Sequence, residues 1–298
     1  MNKCILLISC LWVSLGFLEV PAQASFQHAV LIGVDGMGVY GIPNAVTPVM
    51  DALIHDGVHL TGENVMPTKS GPNWTSLLNG CDSETHKVYH NRWTQRDIKE
   101  RVLCGGKKGE MIPTIFRVIR EAKPDVQTAL FHDWPNISHY VERDIATVQA
   151  GAKDEDMTTA LAVSYIRQFK PVFTFIHLDH VDITGHAEGH KSPPYYQAVE
   201  KADSLIGEII QAYKEAGIYE QTLFVVTSDH GGKGKSHGGN TIDERQIPIL
   251  ISGKGADTHQ KIEDARIFDI PATILDALGL SVPECWDGEA LAIVFEEK

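Results

Sequence analysis

Three short stretches carry side chains that hold metal ions and handle phosphate. Ser228-Asp229-His230-Gly231-Gly232 follows the apolar run Leu223-Phe224-Val225-Val226, and His237-Gly238-Gly239 returns seven residues after His230. An apolar strand ending in Asp-His and then glycine delivers two ligand-grade side chains to backbone that is free to bend around them. Asp182 and His186 stand four apart in the stretch Asp179 to His186, the spacing of neighbours on one helical turn. With His237 they form an Asp/His/His set suited to Zn²⁺ with an open fourth position. Asp35, directly after Ala29–Val34, makes a second set of similar type with Asp229 and His230. Taken alone, any one of these histidines is more often an ordinary polar residue. The inference rests on the arrangement.

A nucleophile candidate lies in Pro67-Thr68-Lys69-Ser70-Gly71-Pro72-Asn73-Trp74. Pro72 fits the first turn of a helix, which leaves Ser70 at its N-terminal edge, where N–H groups and the helix dipole favour an anion. A serine hydroxyl bound to a metal loses its proton at neutral pH and becomes a competent nucleophile. The plainer reading, that Ser70 only caps the helix, fits the local sequence at least as well.

The elements that must position these residues alternate along the chain. Strands are expected at Ala29–Val34, Gly57–Val65, Val126–Phe131, Val172–Leu178, Leu223–Thr227 and Ile247–Ile251. Helices are expected at Pro48–Ile54, Pro72–Leu78, Pro113–Ala122, Met157–Phe169, Tyr195–Ala216 and Ile270–Leu278. Continuous apolar strands between helices imply an α/β fold, a single domain with a mostly parallel central sheet and helices on both faces. Three strands end in carboxylates: Asp35, then Asp179 with Asp182, then Asp229. Open α/β sheets bind ligands at the carboxyl ends of their strands.

The 298 residues carry a net charge of −13, which argues against binding a nucleic-acid duplex. Residues 1–24 read as a secretory signal, with Lys3, an apolar core from Ile5 to Leu18, and Ala22-Gln23-Ala24 before the cleavage point. A catalytic domain at 25–298 is then exported, periplasmic or secreted, without a transmembrane anchor. Of Cys81, Cys104 and Cys285, the couple nearer in sequence is Cys81 with Cys104.

Val34-Asp35-Gly36, Pro67 to Asn73, Asp182-x-x-Gly185-His186, Ser228 to Gly231 and His237-Gly238 stand in the order seen in the alkaline phosphatase superfamily. The chain most resembles its type I phosphodiesterase/nucleotide pyrophosphatase proteins. That resemblance implies an alkaline-phosphatase-like domain with two divalent ions, most simply Zn²⁺. Asp182, His186 and His237 would hold one ion; Asp35, Asp229 and His230 the other, with Ser70 bridging toward it. It further implies that Ser70 attacks a small phosphate ester to form a phosphoseryl intermediate, with Asn73 supporting a non-bridging oxygen. Phosphodiesterase members usually carry Thr at the position of Ser70 and Phe at that of Gly71, so a phosphate monoesterase stays open as an alternative. Sulfatases of the superfamily need Arg four residues after the nucleophile, where this chain has Trp74.

Two other readings compete. Gly36-Met37-Gly38-Val39-Tyr40-Gly41 matches a dinucleotide-binding fingerprint, but Pro43 and Pro48 interrupt the helix that should follow. A metal-binding protein without turnover is the non-enzymatic alternative. Substrate contacts are expected from Trp74, and His86, Asn91, Trp93, Asp133 and Trp134 lie in stretches that could wall a pocket. Lys69 and Lys235 could neutralise phosphate charge.

Overall fold

Along the first strand, β1 (His28–Val34), Ala29 and Leu31 point into one apolar core while Val30, Ile32 and Val34 point into another. Such a strand is buried on both faces and must sit mid-sheet with helices above and below. The structure is a computed structural model that describes residues 25–98, 101–257, 262–293 and 295. The expected signal segment at 1–24 lies outside the described residues.

After β1 come α1 (Pro48–His55), β2 (Gly57–Glu63), α2 (Ser70–Asn79), α3 (Ser83–His86), α4 (Ile115–Ala122), β3 (Thr128–His132) and β4 (Val148–Gly151). Then follow α5 (Glu155–Phe169), β5 (Phe173–Leu178), α6 (His180–Glu188), α7 (Pro193–Glu215), β6 (Thr222–Thr227), α8 (Ile242–Arg245), β7 (Gln246–Ser252) and α9 (Asp269–Ala277). The seven strands form one sheet in the order β2-β7-β6-β1-β5-β3-β4. Neighbours from β6 to β4 pair in parallel, and β7 runs antiparallel to both β6 and β2. One core is closed by Trp74 and Leu77 of α2, Phe116 of α4 and Ile274 of α9. The other is closed by Met50 of α1, Ile166 of α5 and the buried stripe of α7.

The expected α/β architecture is present, with three local differences. Helix α4 opens at Ile115 instead of Pro113, because Glu142 binds both the Thr114 N–H (2.9 Å) and its hydroxyl (2.5 Å) and holds that residue extended as the cap. Helix α2 opens at Ser70 instead of Pro72. Pro72 still costs no hydrogen bond there, since the first four N–H groups of a helix lack intrahelical partners. Strand β4 is a short edge strand that its sequence does not announce; its residues are half-buried or exposed.

The cysteine pairing also differs. Cys104 is bonded to Cys285, 181 residues away, and ties the loop before α4 to the C-terminal segment. Cys81, nearer in sequence, is a free thiol buried beneath that segment, within 3.6 Å of the Cys285 carbonyl. Among the described residues no helix is long and apolar enough to cross a membrane.

His86, a candidate pocket residue from sequence, belongs to the core under α2. Its Nδ1 accepts the Val88 N–H (3.0 Å) while Nε2 meets the Ser76 hydroxyl (3.0 Å). Burial pushes this imidazole down to about 3. The unfolded chain therefore takes up a proton that the folded chain refuses. The contribution to stability is complete above about pH 6.5 and declines toward about pH 3, by up to roughly 1.4 kcal/mol per pH unit. His86→Gln is expected to flatten the acid limb of denaturation free energy against pH. An unchanged slope between about pH 6 and pH 4 would place the acid sensitivity elsewhere.

Candidate metal centre

β1, β5 and β6 lie side by side and parallel, so the residues after them meet at one sheet edge. Asp35 follows β1, Asp229 and His230 follow β6, and α6 carries Asp182 and His186 just beyond β5. Ligand atoms of Asp35, Asp229 and His230 all lie within 4.8 Å of one another, as do those of Asp182, His186 and His237. These are the two sets expected from sequence. His230 Nε2 is 3.2 Å from Asp229 Oδ2 and 3.5 Å from Asp35 Oδ1; His186 Nε2 is 3.2 Å and His237 Nε2 4.0 Å from Asp182 Oδ2. Ser70, 4% exposed at the start of α2, places Oγ 3.2 Å from His230 Nε2.

Each set is oriented from behind. The Nδ1 atoms of His186, His230 and His237 face the backbone carbonyls of Lys235 (2.9 Å), Gly231 (3.0 Å) and Thr68 (2.9 Å). A carbonyl only accepts, so a ring proton sits on each Nδ1 and Nε2 is the nitrogen turned inward, the orientation that metal-ligating histidines use. Gly36 permits the two sets to close on one another. Its φ is +72°, its N–H donates to Asp229 Oδ1 (3.2 Å), and a Cβ there would come within 2.8 Å of Asp182.

The carboxylates are only partly compensated: burial opposes a charge on His177, but its hydrogen bonds to Asp133 and Asp35 raise that imidazole to about 10, and other oxygens stay without a partner. Asp35 Oδ1, Asp182 Oδ1 and Asp229 Oδ2 are buried without a hydrogen-bond partner. Burial, with Asp35 and Asp182 nearby, raises the Asp229 carboxyl well above its ordinary range. Burial likewise pushes His230 down to about 4, so its imidazole is neutral. At His186 the hydrogen bond to Asp182 lifts the imidazole to about 9. A proton thus fills, in the bare protein, a place between His186 and Asp182 that a divalent cation would fill better. Oxygen and imidazole donors in this number fit Zn²⁺ or a similar ion.

Two expected site residues lie elsewhere. Asn73 is buried, and its whole amide is engaged: Oδ1 accepts the Val65 N–H (2.7 Å), while Nδ2 donates to the Lys69 (3.0 Å), Val65 (3.2 Å) and Pro67 (3.3 Å) carbonyls. It shapes the loop ahead of Ser70 and has no donor left for a substrate oxygen. Trp74 lies under the site with no exposed surface. Its Nε1–H donates to Asp35 Oδ2 (2.9 Å), and its ring packs edge-on to His177 at 4.8 Å. Trp93 is likewise a core residue.

Asn91 is better placed than Asn73. Its Oδ1 accepts the Gly71 N–H (2.8 Å), and the residue lines a cleft of about 690 Å³ with Lys69, His90, Arg92, His186 and His237. Sequence reasoning missed His177, whose Nδ1 and Nε2 bridge Asp133 Oδ1 and Asp35 Oδ2, both at 3.1 Å. Asp133 Oδ2 also accepts the Asp179 N–H (3.1 Å). An imidazole in the otherwise largely apolar strand Phe173–Leu178 was the available signal, since a buried polar group needs partners. Asp35, His177 and Asp179 form a further close group, but both ring nitrogens of His177 are already engaged. The Gly36–Gly41 stretch opens no α-helix; turns lead to a single 3-10 turn at Ile42–Asn44.

The chain matches the family model described as "Type I phosphodiesterase / nucleotide pyrophosphatase" over residues 29–244. Ectonucleotide pyrophosphatase/phosphodiesterase family member 1 of Mus musculus is 22% identical, over 72% of this chain and 25% of its own length. Bis(5'-adenosyl)-triphosphatase ENPP4 of Homo sapiens is 23% identical, over 72% of this chain and 50% of its own. The chain thus spans a quarter to a half of these curated relatives. Among solved structures, murine ectonucleotide pyrophosphatase/phosphodiesterase 5 superposes with a TM-score of 0.71 at 14% identity, covering 86% of this chain and 96% of that one. A 2-O GAG sulfatase superposes with a TM-score of 0.71 at 14% identity, covering 90% and 73%.

If the two sets take divalent ions, Zn²⁺ at about 100 times its Kd should stabilise the fold by about 2.7 kcal/mol for each site filled. A melting temperature higher by several degrees, reversed by chelator, is the expected reading. Trp74→Phe keeps the packing but removes the hydrogen bond to Asp35, and should shrink that increment by weakening metal affinity about 10- to 100-fold. A melting temperature indifferent to Zn²⁺, Mn²⁺ and chelator alike would rule out the metal centre.

Proposed function

The chain belongs to the type I phosphodiesterase/nucleotide pyrophosphatase family, and from that premise we propose that it is a metal-dependent phosphoesterase of phosphodiesterase type working through Ser70. The observation that carries the proposal is Ser70 Oγ at the first turn of α2, 3.2 Å from His230 Nε2 and beside buried carboxylate oxygens that have no hydrogen-bond partner.

In this reading Asp182, His186 and His237 would hold one divalent ion, and Asp35, Asp229 and His230 the other. Such ions supply a lowered pKa for a bound hydroxyl and stabilise charge on the entering and leaving oxygens. Ser70 Oγ attacks phosphorus, the bond to the ester oxygen breaks in line, and the chain carries the phosphoryl group until water releases it. The hydroxyl stands at a helix N-terminus, where the dipole and unpaired N–H groups favour the phosphate. Asn91, fixed through Oδ1 on Gly71, offers its amide N–H to a non-bridging oxygen, the part first expected of Asn73. Trp74 and His177 hold Asp35 Oδ2 and leave Oδ1 without a protein partner, free for an ion.

Ser70 itself, in place of the threonine usual in phosphodiesterase relatives, favours a second reading as a phosphate monoesterase. A sulfatase is disfavoured, since the residue four after Ser70 is Trp74, packed beneath the site. Export after cleavage near Ala24, with a catalytic domain from 25 to 298, completes the proposal, and the Cys104–Cys285 bond agrees with an oxidising compartment.

Ser70→Ala should abolish turnover with metal content preserved; activity within about tenfold of the wild type would remove Ser70 as nucleophile. His237→Ala should lower metal occupancy, which elemental analysis reads directly. Rates on a p-nitrophenyl phosphate monoester, a nucleotide-like diester and p-nitrophenyl sulfate then separate the readings: diester preference is expected, and monoester preference would establish the second.

A further inference from the structure

The cleft beside Ser70 is built from charge and hydrogen bonds. It is lined by Lys69, His90, Asn91, Arg92, His186 and His237, a set with no carboxylate, no aliphatic side chain and no aromatic carbocycle. Of the aromatic residues nearby, Trp74, Trp93 and Tyr140 are buried, the last two with centroids 6.2 Å apart, and half-buried Tyr89 and Trp134 are not among the lining residues. Room for a ring beside the nucleophile is closed off as well. A Cβ on Gly71 would stand 2.7 Å from Tyr140 Oη and 3.0 Å from the His90 carbonyl, so the backbone at 90–91 already presses on the first turn of α2.

We propose that this cleft selects phosphate esters whose second ester group carries its own anion, a carboxylate or further phosphate, and that Lys69 and Arg92 recognise that anion. The inference rests on the phosphoesterase reading above and names its substrate class. Lys69 directly precedes Ser70, and its stem lies against the backbone after His237: a Cβ on Gly238 would be 3.2 Å from Lys69 Cε. Arg92 directly follows Asn91, the residue fixed on Gly71. Both cations are therefore chain neighbours of the groups that face phosphorus, and an anion a few bonds further along the substrate meets them. On a chain of net charge −13, this cleft sets two cations and no acid on its lining, in front of the buried Asp182 that His186 and His237 face. An arginine gives a carboxylate or phosphate a directional, two-point contact. A nucleoside base draws its affinity from aromatic or apolar faces, and the lining supplies none.

The test uses four p-nitrophenyl phosphodiesters with one leaving group and different second groups: ethyl, choline, 3-carboxypropyl and 5′-thymidine. On the metal-loaded enzyme, kcat/KM for the carboxypropyl ester should exceed that for the ethyl ester by about tenfold or more, with the choline ester below both. The thymidine ester should not outrun the ethyl ester. Arg92→Glu should reverse the order of the carboxypropyl and choline esters. Binding to Ser70→Ala protein, followed by calorimetry, should show the same order, and carboxypropyl affinity should fall as salt rises from about 50 to about 300 mM. A thymidine ester preferred over the carboxypropyl ester, or an order that Arg92→Glu leaves untouched, overturns the proposal. Loss of all turnover with the binding order intact would refute the catalytic reading and leave the charge selection standing.

Discussion

Three buried aspartates that cannot all be satisfied by the protein set the terms for everything around them. Asp35, Asp182 and Asp229 each keep one oxygen without a partner, in a volume from which water is largely excluded. Like charges gathered in a weakly screening interior repel strongly, and removing them from water adds a further cost. The remaining oxygens are restrained by fixed donors: Trp74 and His177 on Asp35, the Gly36 N–H on Asp229, His186 on Asp182. Such an arrangement is strained as a bare protein and relaxed around cations. The donors fix direction, so the cost falls on stability and not on precision.

Ser70 and the Asp182/His186/His237 set are mechanically joined. Thr68, two residues before Ser70, accepts the His237 Nδ1–H on its carbonyl (2.9 Å), donates its hydroxyl to the Gly239 carbonyl (2.8 Å) and accepts the Gly238 N–H (3.1 Å). A displacement of the loop at 65–69 would therefore move Ser70 and His237 together. Asn73 closes the same loop from inside with its fully engaged amide. The rigid sheet thus supplies Asp35 and Asp229, while two loops laced to one another supply Ser70 and His237. That division suits a site in which the spacing between nucleophile and ligands has to be held to a fraction of an ångström.

What sequence made legible was the periodicity and the strand ends. Continuous apolar runs located the strands, and a carboxylate after three of them located the site. What it left open was which way a helical residue faces. Asn73 and Trp74 sit three and four positions after Ser70, and motif spacing alone cannot tell a cleft-facing side chain from one turned toward the sheet. The turn toward the sheet is written across from them, in Gly33 of β1: a Cβ there would stand 2.4 Å from the Trp74 ring. A glycine inside a buried strand often marks a large neighbour or a close backbone approach. The disulfide escaped for a related reason. Proximity along the chain favoured Cys81 with Cys104, whereas folding brings the Cys285 segment over both.

Fold similarity alone cannot decide what this site does, because comparable TM-scores connect it to an ectonucleotide pyrophosphatase/phosphodiesterase and to a sulfatase. At 14% identity such likeness speaks of the scaffold, and chemistry resides in particular side chains. The discriminating position is Trp74. Fully buried, with its indole N–H on Asp35, it leaves no cation four residues after the nucleophile and directs a carboxylate oxygen upward into the site. Trp74 therefore bears on both proposed readings: it holds Asp35 with a neutral donor, and it stands where a sulfatase reading would call for arginine.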